Sequence, residues 1–344
     1  MSDLFEQGHA CVIGVGADLP CTVRDATELA KILRDPERCA YPESQIHLLT
    51  ERQANREQIL GALEELARST NEKSTVLIYF SGHGYQLLKP IRTYYLLAYG
   101  YSTEDLSGTA ISSQELLNAL QKIPAKKLLV LLDCCHAGGL SDLSGFEITK
   151  APMPPEATEF FSAGSGRIAI ASSRPNQLSL CFKNQLCSVF TQALIEAFCG
   201  EGTENQSGFV RVGDVAMYLS KRVSQLTQDK QNPMLDFLGA DNVVLAYYAA
   251  GNSQPKGVPS HLANPEFELE PGEFERQMIE TTQIEASGDR AVVVQDASGA
   301  TIVVGDNNVM GQGNTVRTVN QRGKYSTYIE HTDNLHIGDR GDED

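Results

Sequence analysis

Two short motifs in this chain carry residue types that could do covalent chemistry together: Ser81-Gly82-His83-Gly84 and Asp133-Cys134-Cys135-His136-Ala137-Gly138. Each follows an almost continuous apolar run, 74–80 before the histidine and 127–132 before the cysteines, of the kind that forms buried strands. In open α/β sheets ligands bind beyond the carboxyl ends of the strands, so parallel neighbours would bring an imidazole and a thiol to one edge. A thiol of ordinary pKa, about 8.5, is only a few per cent thiolate at neutral pH. A facing imidazole can deprotonate it and then protonate a departing amine. Gly82 and Gly84 fit a tight loop open to a substrate backbone, and Gly138 could turn the main chain so that N–H groups face an oxyanion.

Either motif alone also has a plain structural reading, a strand-end histidine or a small buried cysteine. Their joint occurrence, with glycines around both, is what points to a nucleophile and base. Cys134 and Cys135 cannot face the same way on an extended backbone, so one of them is structural, and spacing alone does not choose. His136 is a weaker base candidate because sequence neighbours rarely present aligned side chains. Cys134, Cys135 and His136 do not match zinc-ligand spacings, no second Cys/His cluster completes four-coordination, and metal ligands stay unassigned.

The elements that must position these residues alternate over the first 250 residues, the pattern of an α/β sheet covered on both faces. Strands are expected at 9–15, 46–49, 74–80, 127–132, 167–171 and 242–248, with a short arm at 94–98. Helices are expected at 26–33, at 56–67 behind an Asn55 cap, from Ser112 or Ser113 to Leu120, at 186–198 and at 212–223. The result is a mostly parallel central sheet of about six strands. From Ala137 to Gly166 the texture turns to Gly, Ser, Pro and acidic residues, too long for an ordinary connection. Four prolines between Ala250 and Gly272 mark a linker, so residues 1–250 read as one domain, 251–285 as linker, and 286–344 as a small β-rich module with an acidic tail. That module, with strands at 291–294 and 301–304 and Gly-Asp-Asn turns, is too small to bury much alone. It is expected to form a hairpin or solenoid-like unit that docks or pairs with copies of itself.

Charge excludes some partners. With 28 Lys+Arg against 44 Asp+Glu the net charge is −16, and no basic stripe offsets it, so nucleic acid and anionic membranes are not expected. No apolar stretch is long enough to span a bilayer, the N-terminus lacks an export signal, and eight scattered cysteines suit a reducing compartment; a cytoplasmic protein is expected.

The paired motifs resemble the caspase-like cysteine peptidases (peptidase family C14), and among them the metacaspase and orthocaspase branch found in bacteria, plants and fungi. The resemblance runs from about His9 to Tyr248, and His83 and Cys135 stand 52 residues apart, close to the caspase spacing. The Gln-Ala-Cys-x-Gly signature of true caspases is absent, so the match is to the wider group. The resemblance implies that Cys135 is the nucleophile, His83 the base without need of a third residue, and the backbone N–H groups of Gly84 and Cys135 the oxyanion hole. It also makes Leu19 to Ala26 the segment whose acidic residue lines the primary specificity pocket. Asp25 with Asp133 would then favour a substrate Arg or Lys, since two desolvated carboxylates repel each other unless a cation sits between them. Taken alone, Asp25 reads as a charge at a helix N-terminus. Ser81 would help shape the pocket and Ser172 would sit in the substrate-binding loop, where Asn176 replaces a commonly acidic residue.

By the same resemblance the 137–166 segment is a site of autoproteolysis, with Lys150 the preferred target and Arg167 a lesser one. No cofactor is required for such chemistry; calcium activates several relatives and stays open here, because no EF-hand spacing is present. The C-terminal module is similar to short segments appended to bacterial signalling and conflict-system effectors, which suggests recruitment or self-association. The expected activity is endopeptidase cleavage after Arg or Lys of protein or peptide substrates. The alternative is a catalytically silent caspase-like adaptor, against which the presence of all four of His83, Cys135, Asp25 and Asp133 argues.

Overall fold

The computed structural model describes residues 4–87, 93–136, 167–174, 177, 179–181, 185–203, 207–236, 241–248 and 256–263, together with C-terminal strands at 291–294, 302–304, 309–314, 319–322 and 332–337. In chain order the first elements are β1 (Gly8–Gly14), α1 (Pro20–Arg34), β2 (Ile46–Thr50), α2 (Arg56–Ser69), β3 (Thr75–Leu87), β4 (Thr93–Leu97), α3 (Leu106–Thr109), β5 (Ile111–Ser112), α4 (Ser113–Gln121) and β6 (Lys127–His136). Then follow β7 (Arg167–Ala171), α5 (Val189–Phe198), β8 (Phe209–Arg211), α6 (Val212–Leu226), β9 (Met234–Asp236) and β10 (Val244–Tyr247).

Six strands run β2-β1-β3-β6-β7-β9, all parallel except β9, which pairs antiparallel with β7. β4 adds antiparallel to the far end of β3, and β5 to β4. This is the mostly parallel α/β sheet that the sequence predicts, with one correction. The 242–248 segment does not join it; β10 pairs with β8 in a separate two-stranded ribbon, and the sixth place goes to β9. Three residues, Met234-Leu235-Asp236, are too few to show a strand period in the sequence.

α2 and α4 cover one face. Ile59, Leu63 and Leu66 of α2 and Leu117 and Leu120 of α4 pack with Ile13, Ile78, Phe80, Val130 and Leu132 in a continuous core. Local signals set these helices: Asn55 accepts from the Gln58 N–H at 3.0 Å, and Ser112 with Glu115 makes a reciprocal capping box. α1 lies on the other face with α5, and α6 packs against α5. Every residue of α5 is buried, as suits a helix that is apolar nearly all round. α1 starts at Pro20, well before the expected Ala26, with proline in the first turn where its missing N–H costs nothing.

The chain divides into two compact units, the first built on Met1–His136 and Ile148–Pro265. In it, residues after the last strand return to the turn behind α1 and to α5: Arg38 donates to the Gly257 carbonyl, Gln192 to the Leu262 carbonyl, and Leu262 is buried. The second unit holds Glu266–Asp344. Its strands β11 (Ala291–Val294), β12 (Ile302–Val304), β13 (Val309–Asn314), β14 (Val319–Arg322) and β15 (Thr332–Ile337) are all paired antiparallel, β11 with β14 and β13 between β12 and β15.

Candidate active site

β3 and β6 are the long middle strands. β1 leaves β3 at the Gly14↔Ser81 pair and β7 leaves β6 at Ala171↔Leu132, so both central strands run on beyond their outer neighbours. On that overhang the register is Ser81↔Asp133, Gly82↔Cys134, His83↔Cys135 and Gly84↔His136. His83 and Cys135 therefore occupy adjacent positions on neighbouring strands.

Alternation sorts the remaining residues. Cys134 packs on the α2/α4 core, where burial pushes its thiol up to about 12, against a partly opposing hydrogen bond from Tyr94. A thiol so held is a poor source of thiolate. Gly82 and Gly84 lie within β3, not in the loop expected for them. A Cβ on Gly82 would stand 2.8 Å from Val15, and one on Gly84 would stand 2.0 Å from the Tyr94 hydroxyl, so packing demands both glycines.

His83 projects from the opposite face, the one that carries Ser81 and Tyr79. Its Nε2 lies 2.7 Å from Asp18 Oδ2, while Nδ1 is buried with no hydrogen-bond partner among the described residues. The hydrogen bond with His83 is the leading cause that lowers the Asp18 pKa, so this acid stays ionised. The resemblance needs no third residue beside His83, and Asp18 is a partner that it does not assign. The pairing arises because β1 and β3 are sheet neighbours, which no local pattern around Asp18 reveals.

Next to it is a pair of buried carboxylates. Asp25, in the second turn of α1 and not at its N-terminus, accepts from Ser81 Oγ at 3.0 Å and from the Ser188 N–H at 2.7 Å. Asp133 accepts at Oδ1 from Ser179 Oγ (2.6 Å), and at Oδ2 from Ser188 Oγ (2.5 Å) and Thr191 Oγ1 (3.0 Å). Tyr79 lies 3.4 Å from the same oxygen. Burial, and after it the charge of Asp133, holds the Asp25 pKa well above the usual carboxylate range. Among the described residues no cation bonds to either acid. Cys187 also lies beside Asp25, its thiol raised mainly by burial.

Ser172 directly follows β7; its N–H donates to the Leu132 carbonyl and its own carbonyl accepts from Gln231 Nε2, while its hydroxyl is buried and has no partner among the described residues. Gln231 also receives the Leu180 N–H, tying together the segment that carries Ser179. Ser179 falls in the Gln177-to-Ser179 stretch that resembles the family's substrate-binding loop, whereas Ser188, Thr191, Tyr79 and Gln231 carry no sequence signal, because such residues have no spacing signature for lining a carboxylate pocket. Lys150, Gly138 and Asn176 lie outside the described residues. Among the described residues no three His, Cys, Asp or Glu side chains are grouped to hold a metal ion.

This sheet, with its paired motifs on β3 and β6, is matched by the family model for the caspase domain over residues 7–242, most of the chain. The chain belongs to the caspase-domain peptidase family. The caspase domain supports a cysteine-peptidase function on protein or peptide substrates. No curated protein matches the chain. Among solved structures, protein GSU0716 from Geobacter sulfurreducens is similar at 16% identity, with a TM-score of 0.45, over 66% of this chain and 92% of that one. In the described residues of this caspase-domain protein no helix is long and apolar enough to cross a membrane.

Proposed function

We propose that the protein is an endopeptidase that cleaves after Arg or Lys, with Cys135 as nucleophile and His83 as base, in the manner of the metacaspase and orthocaspase branch. The observation that carries this is the His83↔Cys135 register beside the Asp25/Asp133 pair. The Cys135 thiol passes its proton to His83 and its sulfur bonds to the scissile carbonyl carbon. The C–N bond breaks as the imidazolium protonates the leaving amine, and water hydrolyses the resulting thioester to free the acid and restore the thiol. Backbone N–H groups of Gly84 and Cys135 would hold the oxyanion.

Specificity rests on the acid pair. Two carboxylates buried side by side without a cation are costly, and an Arg or Lys side chain entering between them would supply the missing charge. A substrate Asp would meet repulsion. Ser81 orients Asp25, and Ser172 would offer the substrate a hydroxyl that has no partner among the described residues. Self-cleavage at Lys150 is part of the same proposal, since it would present a basic residue close in sequence to the nucleophile. So are the assignment of 1–250 as the peptidase domain, 251–285 as linker and 286–344 as a recruitment or self-association module, and a cytoplasmic setting.

The test is a panel of fluorogenic peptides ending in Arg, Lys or Asp, run with and without calcium on wild type and Cys135→Ala, with gel analysis of the incubated protein. Arg/Lys turnover lost in Cys135→Ala supports the peptidase. No turnover of any peptide, at any calcium concentration, favours the adaptor. An undiminished turnover from a single intact band excludes required self-cleavage.

A further inference from the structure

Asp18 sits in a turn built to present it. After β1, Gly16 and Ala17 both take positive φ, 74° and 58°, a conformation that an alanine adopts only where its surroundings hold it there. Thr22 clamps the turn: its hydroxyl oxygen accepts from the Gly16 N–H at 2.8 Å and donates to the Leu19 carbonyl at 2.8 Å. The Val15 N–H donates to the Ser81 carbonyl at 3.0 Å, so the turn is anchored to β3 two residues before His83.

An acid just before a helix usually serves the helix N-terminus. Asp18 does not: the N-cap of α1 is Leu19, with no side-chain cap and no acidic residue in the first turn. Its carboxylate bonds to the imidazole instead, and that is the ring's one hydrogen bond among the described residues, because Nδ1 is buried without a partner. An ionised carboxylate can only accept, so Nε2 must carry the hydrogen, and the neutral ring keeps its lone pair on Nδ1.

We propose that Asp18 is the positioning residue for His83, fixing the imidazole in its Nε2–H tautomer so that Nδ1 is the nitrogen that takes the Cys135 proton and returns it to the leaving amine. This rests on the peptidase reading and adds a third member to it. When Nδ1 is protonated, the Asp18 charge faces the imidazolium and the ring keeps its orientation through both proton transfers.

The experiment is 15N NMR of the full chain labelled at its seven histidines, with His83→Gln identifying the His83 signals, on wild type, Asp18→Ala and the near-isosteric Asp18→Asn. Wild type should show His83 protonated at Nε2 and bare at Nδ1, and both variants should show a mixture of tautomers. In parallel, kcat on an Arg peptide should fall roughly a hundredfold with KM changed less than about twofold. Asp18→Asn, which preserves the packing, keeps the test valid where Asp18→Ala misfolds. An unchanged His83 tautomer in a folded Asp18→Asn protein overturns the proposal, as does a fall confined to KM. A wild type that shows the expected tautomer but cleaves no peptide overturns the peptidase reading and with it the catalytic part of this one, while the Asp18–His83 pairing stands.

Discussion

Asp25 and Asp133 are bridged by one residue, Ser188, which donates its backbone N–H to the first and its hydroxyl to the second. The same serine accepts from the Thr191 N–H at the start of α5, so the carboxylate pair is locked to a fully buried helix.

Asp25 should cost stability at neutral pH. Its pKa is raised in the folded protein, by burial first and then by Asp133, above the unfolded value of about 3.9. Stability is therefore greatest below the unfolded value and is lost as pH rises toward the folded one. Asp25→Asn should remove that decline and raise Tm at pH 7, by about 2–4 °C per kcal/mol relieved. The same variant should raise KM for Arg and Lys peptides at least tenfold. Thermal melts from pH 4 to 8 check the first claim and peptide kinetics the second.

Asp133 should behave in the opposite way. Asp133→Ala removes the carboxylate that accepts from the hydroxyls of Ser179, Ser188 and Thr191, and losing the acceptor of a buried donor costs up to about 1–3 kcal/mol. Tm should fall clearly, and cleavage after basic residues should fall with it; calorimetry on Asp133→Ala beside Asp25→Asn tests this contrast of sign.

Gly84→Ala should lower stability by about 1–3 kcal/mol through overpacking, since the new methyl would lie 2.0 Å from the Tyr94 hydroxyl. Tyr94→Phe in the same chain should recover part of the loss. Denaturant titration of the two single variants and the double variant measures the coupling, which additive effects would reduce to nothing.

Cys134 and Cys135 should separate by function. Cys134→Ala removes a thiol packed on the core and should cost about 1 kcal/mol while leaving most peptidase activity, whereas Cys135→Ala should abolish it. Iodoacetamide labelling with peptide mapping should modify Cys134 slowly, because burial raises its pKa to about 12.

Much of this was legible along the chain because it is local. The apolar runs before His83 and Cys135, the Asn55 cap and the Ser112–Glu115 box are written in adjacent residues, and the strands and helices they predict are found. What was hidden depends on contacts distant in sequence. Asp18 meets His83 across 65 positions and Ser188 meets Asp25 across 163, and neither serine nor aspartate announces such a partner. Gly82 and Gly84 read as loop residues because the close approach of Val15, just after β1, and of Tyr94 in β4 that requires them comes from distant parts of the sequence.

The overhang of β3 and β6 beyond β1 and β7 ties chemistry to alignment. A one-residue slip between these two strands would set His83 opposite Cys134 or His136, and in a pleated sheet it would turn the slipped strand's side chains to the opposite layer. The ladder below the overhang, from Thr75↔Lys127 upward, acts as the gauge that forbids such a slip. A chain that has closed this ladder has its reactive residues aligned, and one that has not has no intermediate grade of competence to offer.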